Sequence, residues 1–341
     1  MRVSDYTYVL PEERIALFPP EERGASHLLV LDSQSGKIEH KGYQDLLEYL
    51  EPGDVVVLNN TKVIRARLMA TTSSGQTREL LLLEDHHNTV RTKRKVLYRG
   101  KLRETETLTV GPTTVHVDSI LGDGIAEISS QQDLLELATH TGSVPLPPYM
   151  HRDATPEDTE RYQTVFAESP GSVAAPTASF NFTRELEARI RAKNVSIAYL
   201  TLHVGLGTFL PIRSDNIQEH TMHSEYFEIP KNTAEIIKNT LYNRGKIVAI
   251  GTTVARTLEY AAPSLLGSPA TDVSGEADIF IYPGYTFKVV TTLLTNFHAP
   301  KSTVLMLAAA KAGWQNLERA YHEALDEDYM FLSYGDSMLI L

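Results

Sequence analysis

Between Tyr199 and Pro230 the chain reads Y-L-T-L-H-V-G-L-G-T-F-L-P-I-R-S-D-N-I-Q-E-H-T-M-H-S-E-Y-F-E-I-P, and residues able to carry chemistry are dense there. His203 sits in an apolar strand, Gly205 and Gly207 break it, and Asp215, Glu219, His220, His223 and Glu225 follow. A strand ending in Gly-x-Gly lets the backbone approach a ligand closely, because glycine has no Cβ and tolerates positive φ. The same polar residues also fit a solvated loop and first helical turn. The spacing of His220 and His223 suggests a metal pair, but the chain has no cysteine, no His-Glu-x-x-His pattern and no obvious third ligand. No metal is expected.

Three further stretches suit a ligand. Gly251-Thr252-Thr253 ends an apolar strand and opens a helix, which gathers N–H groups and a positive dipole end for a carboxylate or phosphate. A plain strand-to-helix turn reads the same way. His298 follows the apolar Leu293 to Phe297 and precedes a helix that Ser302 and Thr303 can cap, which puts it at the carboxyl edge of a sheet, where open α/β sheets hold ligands. From Gly171 to Thr183 the run G-S-V-A-A-P-T-A-S-F-N-F-T is mostly small. Ala and Ser gain little by burial, so the run suits a smooth wall against a flat ligand such as a nucleobase.

Positioning these groups calls for strands and helices in alternation. Apolar runs at 28–31, 55–58, 195–204, 246–250, 279–282 and 293–297 read as strands, and continuous runs of this kind suit a sheet covered on both faces. Helical spacing covers 43–50, 132–139, 184–193 (capped by Thr183), 233–242, 254–262, 304–312 (ended by Gly313) and 317–325. From 65 to 130 helical periodicity is missing. Short Leu-, Val- and Thr-rich segments alternate there with turns such as Gly111-Pro112 and Gly122-Asp123-Gly124, the texture of a small antiparallel barrel or sandwich. The expected organisation is a large α/β domain with a mixed sheet, made of 1–64 and 150–341, interrupted by an inserted antiparallel β-barrel domain at 65–149.

Bulk properties narrow the function. The absence of cysteine excludes disulfides and thiol catalysis and fits a reducing compartment. The N-terminus lacks the apolar core of a signal peptide and no apolar run is long enough to span a bilayer, so a cytoplasmic location is expected. A net charge of −11 argues against non-specific coating of nucleic acid while leaving room for a local basic groove. Lys62, Arg65 and Arg67, with Arg91, Lys93, Arg94, Lys95, Arg99, Lys101 and Arg103, are candidates for one. Strand alternation would divide the second group between two faces, so a solvated sheet edge is the competing reading. Nothing resembles a dimerisation helix, and a monomer is expected.

The ordered motifs resemble one family along the whole chain. They are Y-x-L-P-E-E-R-I-A near the start, L-E-P-G-D-V-V-V-L-N-N-T-K-V-I-x-A-R-L at 50–68, R-Y-Q-T-V at 161–165 and G-S-V-A-A-P-T-A at 171–178. L-H-V-G-x-G-T-F at 202–209, H-x-M-H-x-E at 220–225, G-T-T with R-T-L-E at 251–259, T-N-F-H-x-P-K-S-T at 295–303 and S-Y-G-D at 333–336 complete the set. The chain is similar to the S-adenosylmethionine:tRNA ribosyltransferase-isomerases of queuosine biosynthesis, the QueA family. The resemblance implies a transferase-isomerase with S-adenosylmethionine as co-substrate and no metal. Its partner would be a tRNA with a 7-aminomethyl-7-deazaguanine wobble base, converted to epoxyqueuosine with release of adenine and methionine. A sulfonium acidifies the neighbouring ribosyl protons, so a modest base can start such a reaction, and an acid helps adenine leave.

Matching positions carry over as candidates: His203, His298, Glu225 and Asp336 as catalytic residues, with roles open. For the nucleoside they are Ala174, Ala175, Pro176, Thr177, Gly205, Gly207, Thr208, Gly251, Thr252, Thr253 and Asn296. For the RNA substrate they are Asn181, His220, His223, Arg256, Lys62, Arg94, Lys95 and Arg99. Three positions depart from the family pattern. Asn181 stands where a histidine is usual, Leu210 and His27 where arginines are usual. Asn181 cannot exchange a proton near neutral pH and Leu210 cannot bind an anion. These losses keep open a second reading, a paralogue using S-adenosylmethionine on a small molecule.

Overall fold

The computed structural model describes residues 1–84, 90–205, 207, 215–267 and 269–341. Two 3-10 turns, Val3–Asp5 and Glu12–Arg14, lead to the hairpin of β1 (His27–Leu31) and β2 (Ile38–Gly42). Helical spacing at 43–50 is met by a 3-10 run, Tyr43–Tyr49. Its two buried residues, Tyr43 and Leu46, are three apart, as the tighter turn requires. β3 (Val55–Asn59) and β4 (Thr61–Val63) follow.

The next six strands are β5 (Arg67–Thr72), β6 (Thr77–Leu82), β7 (Lys93–Arg99), β8 (Thr107–Val110), β9 (Thr113–Gly122) and β10 (Ile125–Ser130). They close an antiparallel barrel in the order β10-β7-β6-β5-β8-β9. Period-2 burial sends Leu68, Ala70, Leu108, Val110, Val115, Val117 and Ile128 into one core, and α1 (Leu134–Thr141), capped by Asp133, adds Leu134, Leu137 and Ala138 to it. Val173 joins the same core and so ties the barrel to the start of the small-residue run.

The chain continues through α2 (Pro156–Arg161), β11 (Ser169–Ser172), α3 (Arg184–Ala192), β12 (Ser196–Leu202), β13 (Glu225–Ile229), α4 (Lys231–Tyr242) and β14 (Ile247–Ile250). It ends with α5 (Thr252–Tyr260), α6 (Ala262–Leu266), β15 (Val273–Ala277), β16 (Thr292–Asn296), α7 (Thr303–Ala312), α8 (Trp314–Asp326) and β17 (Ser337–Ile340). Among the described residues one mixed sheet has the order β15-β13-β12-β3-β14-β16-β17-β1-β2. Its centre, β12-β3-β14-β16, is parallel and buried on both faces. Val55, Val57, Ala249 and Leu293 pack with α4, α5, α7 and α8, whereas Val56, Leu58, Val248 and Leu294 pack with α3 and the 43–49 turn.

The expected α/β domain and barrel are both present, with helix boundaries shifted by up to three residues. One strand moves further. The run 279–282 is not extended into the sheet; its place is taken by β15, antiparallel to β13 at the sheet edge. Arg256 Nε donates to the Ile279 carbonyl at 3.4 Å, which engages that carbonyl outside any ladder, and Ile281 is buried as a loop residue. The true edge strand reads V-S-G-E-A, whose polar residues suit a half-solvated edge and hide it from an apolar search.

Candidate active site

β12, β3, β14 and β16 run parallel, so their carboxyl ends share one edge of the sheet. β17, antiparallel to β16, starts at that edge, as does β1, parallel to β17. His203, Thr61, Gly251, His298, Asp336 and His27 are thereby brought to one line.

The small-residue run lies across this line. Ala174 bridges Val204 beyond β12, Thr177 Oγ1 donates to Asn296 Oδ1 at 2.8 Å beyond β16, and Ala178 faces Gly251 between them. Pro176 starts the single 3-10 turn Thr177–Ser179, and Ala175 packs behind it with Tyr162 and Phe180. Gly251 has φ 102° and ψ 151°, a conformation reserved for glycine, and it precedes the first N–H groups of α5. Two buried hydroxyls, Ser179 Oγ and Thr253 Oγ1, have no hydrogen-bond partner among the described residues. Buried polar groups are normally satisfied, so these two hydroxyls are candidates to bond a group placed against the wall.

His203 marks one end of this edge. Its Nδ1 is 2.7 Å from Thr61 Oγ1, its ring lies parallel to Tyr226 with centroids 6.3 Å apart, and a Cβ on Gly171 would come within 2.8 Å of the ring. Lys62 is exposed beside it on β4. His298 marks the other end, three strand intervals away, which at about 4.8 Å per interval is roughly 14 Å. Its Nε2 is 2.7 Å from Thr295 Oγ1. Its backbone is clamped, with Tyr8 donating to the carbonyl and the N–H donating to the Tyr321 hydroxyl at 2.9 Å. Burial pushes the His298 imidazole down to about 3, so it is neutral near pH 7.

Asp336 accepts the backbone N–H groups of His27 and Met330, each at 2.7 Å, and burial raises its carboxyl above the usual range against these bonds. Its oxygens fasten the turn that carries Tyr334 and Gly335. Asn296 Nδ2 reaches the Asp336 carbonyl at 3.4 Å. His27 lies against Tyr329 with centroids 5.1 Å apart and stands mostly in solvent.

Glu225 and Arg256 sit together in a buried ion pair. Glu225 Oε1 also accepts the Gly205 N–H at 3.1 Å, and Arg256 reaches the carbonyls of Ala277 and Ile279. So engaged, Glu225 holds the Gly205 N–H after His203, and Arg256 holds Glu225. His220 packs edge-on against Phe280, and burial together with the neighbouring His223 lowers its pKa. His223 is exposed beside Gly207. Thr208 and Leu210 lie outside the described residues. Among the described residues no three His, Asp or Glu side chains are arranged to hold a metal ion.

The basic residues of the barrel do not join this edge as one cluster. Alternation turns Arg94 inward with Val96, while Lys93 pairs with Asp118 and Glu127 at 3.1 Å each; Lys95 is exposed and Arg99 lies 3.9 Å from Glu79. Asn181 is buried near the opposite side of the wall, in a small cavity with Arg23, Arg161 and Tyr334. Sequence reasoning missed Thr61, Gly171, Tyr226, Tyr8 and Tyr321 as neighbours of the two histidines. Only Thr61 had a signal, the N-N-T-K that ends β3, where Asn59 Oδ1 accepts the N–H groups of Thr61 and Leu202 at 3.1 and 3.0 Å.

Sheet and barrel define an α/β protein with one mixed sheet, parallel at its centre, and a closed antiparallel barrel lying between β3 and β12 along the chain. Comparison with known proteins makes this specific. A family model described as "Queuosine biosynthesis protein" matches residues 3–340, and the chain belongs to that family. It is 55% identical over its full length, and that of the relative, to the S-adenosylmethionine:tRNA ribosyltransferase-isomerase of Chlorobaculum parvum. The enzyme of the same name from Chlorobium chlorochromatii is 53% identical, again over both full lengths. The crystal structure of S-adenosylmethionine tRNA ribosyltransferase from Thermotoga maritima is 35% identical with a TM-score of 0.58, covering 99% of this chain and all of that one.

Proposed function

We propose that the groove along the carboxyl edge binds S-adenosylmethionine, and that the protein transfers and isomerises its ribosyl moiety onto 7-aminomethyl-7-deazaguanine in tRNA. Epoxyqueuosine, adenine and methionine are the products. The observation that carries this reading is the wall: Thr177 bonded to Asn296, and Ala178 against Gly251, close a smooth surface over a helix start with two unsatisfied hydroxyls. That surface suits a flat adenine with polar edges. The names borne by full-length relatives above half identity support the same chemistry.

Burial holds His298 neutral and disfavours its imidazolium, so it is suited to orient the ligand by hydrogen bonding, and protonation of departing adenine falls to another group. His203, at the far end, and His298 flank the ligand from opposite sides. Glu225, Arg256 and Asp336 hold the turns that shape the groove. Gly205, Gly207, Thr252 and Thr253 supply backbone and hydroxyl groups to the nucleoside, and Lys62, His220 and His223 stand at the rim where RNA arrives. We take the protein to be a cytoplasmic monomer in which 65–149 is a separate inserted domain.

The test is direct. Incubated with S-adenosylmethionine and tRNA bearing the deazaguanine base, the protein should release adenine in proportion to tRNA modified. Adenine release equal with and without that tRNA, or none at all, would overturn the reading.

A further inference from the structure

Behind the wall, a cavity of about 10 Å3 is lined by Pro19, Pro20, Arg23, Arg161, Phe180, Asn181 and Tyr334. That volume admits one oxygen-sized group. Two guanidiniums meet there. Arg23 Nη1 donates to the carbonyls of Gln163 and Phe180 at 3.0 and 2.8 Å, and Arg161 donates to those of Pro20 and Glu21. Among the described residues Arg23 has no ion-pair partner, and Arg161 has only Glu157, 3.6 Å away on a side chain 63% exposed. Burial and the charge of Arg161 both pull the Arg23 guanidinium below its usual value, the mark of like charges held together without a buried counter-charge.

Next to this cavity Phe18 is 59% exposed. Its ring is held by Arg152, whose guanidinium carbon lies 4.2 Å from the ring centroid and which also grips the Leu17 carbonyl. Arg152 pairs with Asp158 through two bonds of 2.6 and 2.9 Å, and Asp158 accepts the Tyr334 hydroxyl at 2.8 Å. Tyr334 lines the cavity, so one continuous network fixes both the aromatic ring and the anion-seeking pocket.

An exposed, rigid aromatic beside paired guanidiniums is the surface that single-stranded RNA recognises: bases stack on the ring and phosphate oxygens enter between arginines. We propose that this patch docks an unpaired strand of the tRNA, with one non-bridging phosphate oxygen in the Arg23–Arg161 pocket and a neighbouring base on Phe18. The proposal rests on the tRNA reading given above. A carboxylate, such as that of the methionine portion of S-adenosylmethionine, has the same oxyanion chemistry, and the experiment separates the two.

The full-length protein is titrated with a labelled anticodon stem-loop RNA carrying the deazaguanine base, over a range of salt, and separately with S-adenosylmethionine in a calorimeter. Arg161→Gln and Arg23→Gln each remove a charge while retaining donors toward the backbone carbonyls, and thermal melts check their folding. Each should weaken RNA binding about tenfold and reduce the slope of log affinity against log salt by about one. Phe18→Ala removes an exposed ring and should weaken RNA binding about tenfold with the slope unchanged. Affinity for S-adenosylmethionine should stay the same in all three. RNA affinity and slope unchanged in the arginine variants would overturn the proposal. So would a loss confined to S-adenosylmethionine, which would assign the pocket to a carboxylate. No RNA binding by the unaltered protein would instead sink the proposed function itself.

Discussion

A neutral imidazole at His298 sets what that residue can do and leaves a thermodynamic trace. Its folded pKa, about 3, lies below the ordinary 6.5, so between those values the unfolded chain binds the extra proton. Stability contributed by this group is therefore complete above pH 6.5 and lost as pH falls toward 3. We expect the melting temperature to drop less steeply between about pH 6.5 and 4.5 in His298→Gln than in the parent protein, as read by calorimetry. Near neutral pH the same variant should stay folded while adenine release falls by a factor of about 100, the size of a lost positioning contact. An unchanged rate would remove His298 from the site. The sequence showed where this histidine sits, because an apolar strand precedes it and a capped helix follows. It did not show the clamp, since Tyr8 and Tyr321 arrive from 290 and 23 positions away.

At the scale of elements, strand ends and helix caps were legible and buried polar partnerships were not. Thr183 and Ser302 accept the Leu186 and Leu305 N–H groups at 3.1 and 3.2 Å, and Gly313 ends α7 with φ 77°, as local composition predicts. From sequence alone Glu225 is a catalytic candidate with its role open, and Arg256 a candidate for binding the RNA substrate. They prove to be each other's partner, because β13 and α5 meet only in the folded sheet. Breaking one side of a buried pair leaves an uncompensated charge, at a cost of about 3–5 kcal/mol. Glu225→Leu should thus lower the urea midpoint strongly, and Glu225→Leu with Arg256→Met should recover part of it. A double variant as unstable as the sum of the two singles would show that the pair does not act as a unit.

For the whole molecule, a net charge of −11 means that an RNA partner must be drawn in by local patches against a repulsive background. Binding of deazaguanine-bearing tRNA should therefore fall more than tenfold between 50 and 200 mM salt; a flat dependence would contradict phosphate contacts. The barrel was visible in the sequence as a loss of helical periodicity with regular turns, and strand alternation offered the right reading of its basic run as an alternative. A run of Lys and Arg looks like one patch along the chain. In β7 it is split between the barrel's interior and exterior, with Lys93 neutralised across neighbouring strands.

The register of the sheet has one more consequence, for biosynthesis. β1, among the first strands made, is flanked by β2 and by the much later β17; Leu28 lies opposite Ser337. Until β17 emerges from the ribosome, the N-terminal hairpin waits with an open flank and Asp336 has not yet taken hold of the His27 amide. The arrival of β17 is the event that closes this edge, so deletion of Ser337–Ile340 would leave a sticky intermediate with one flank of β1 unpaired.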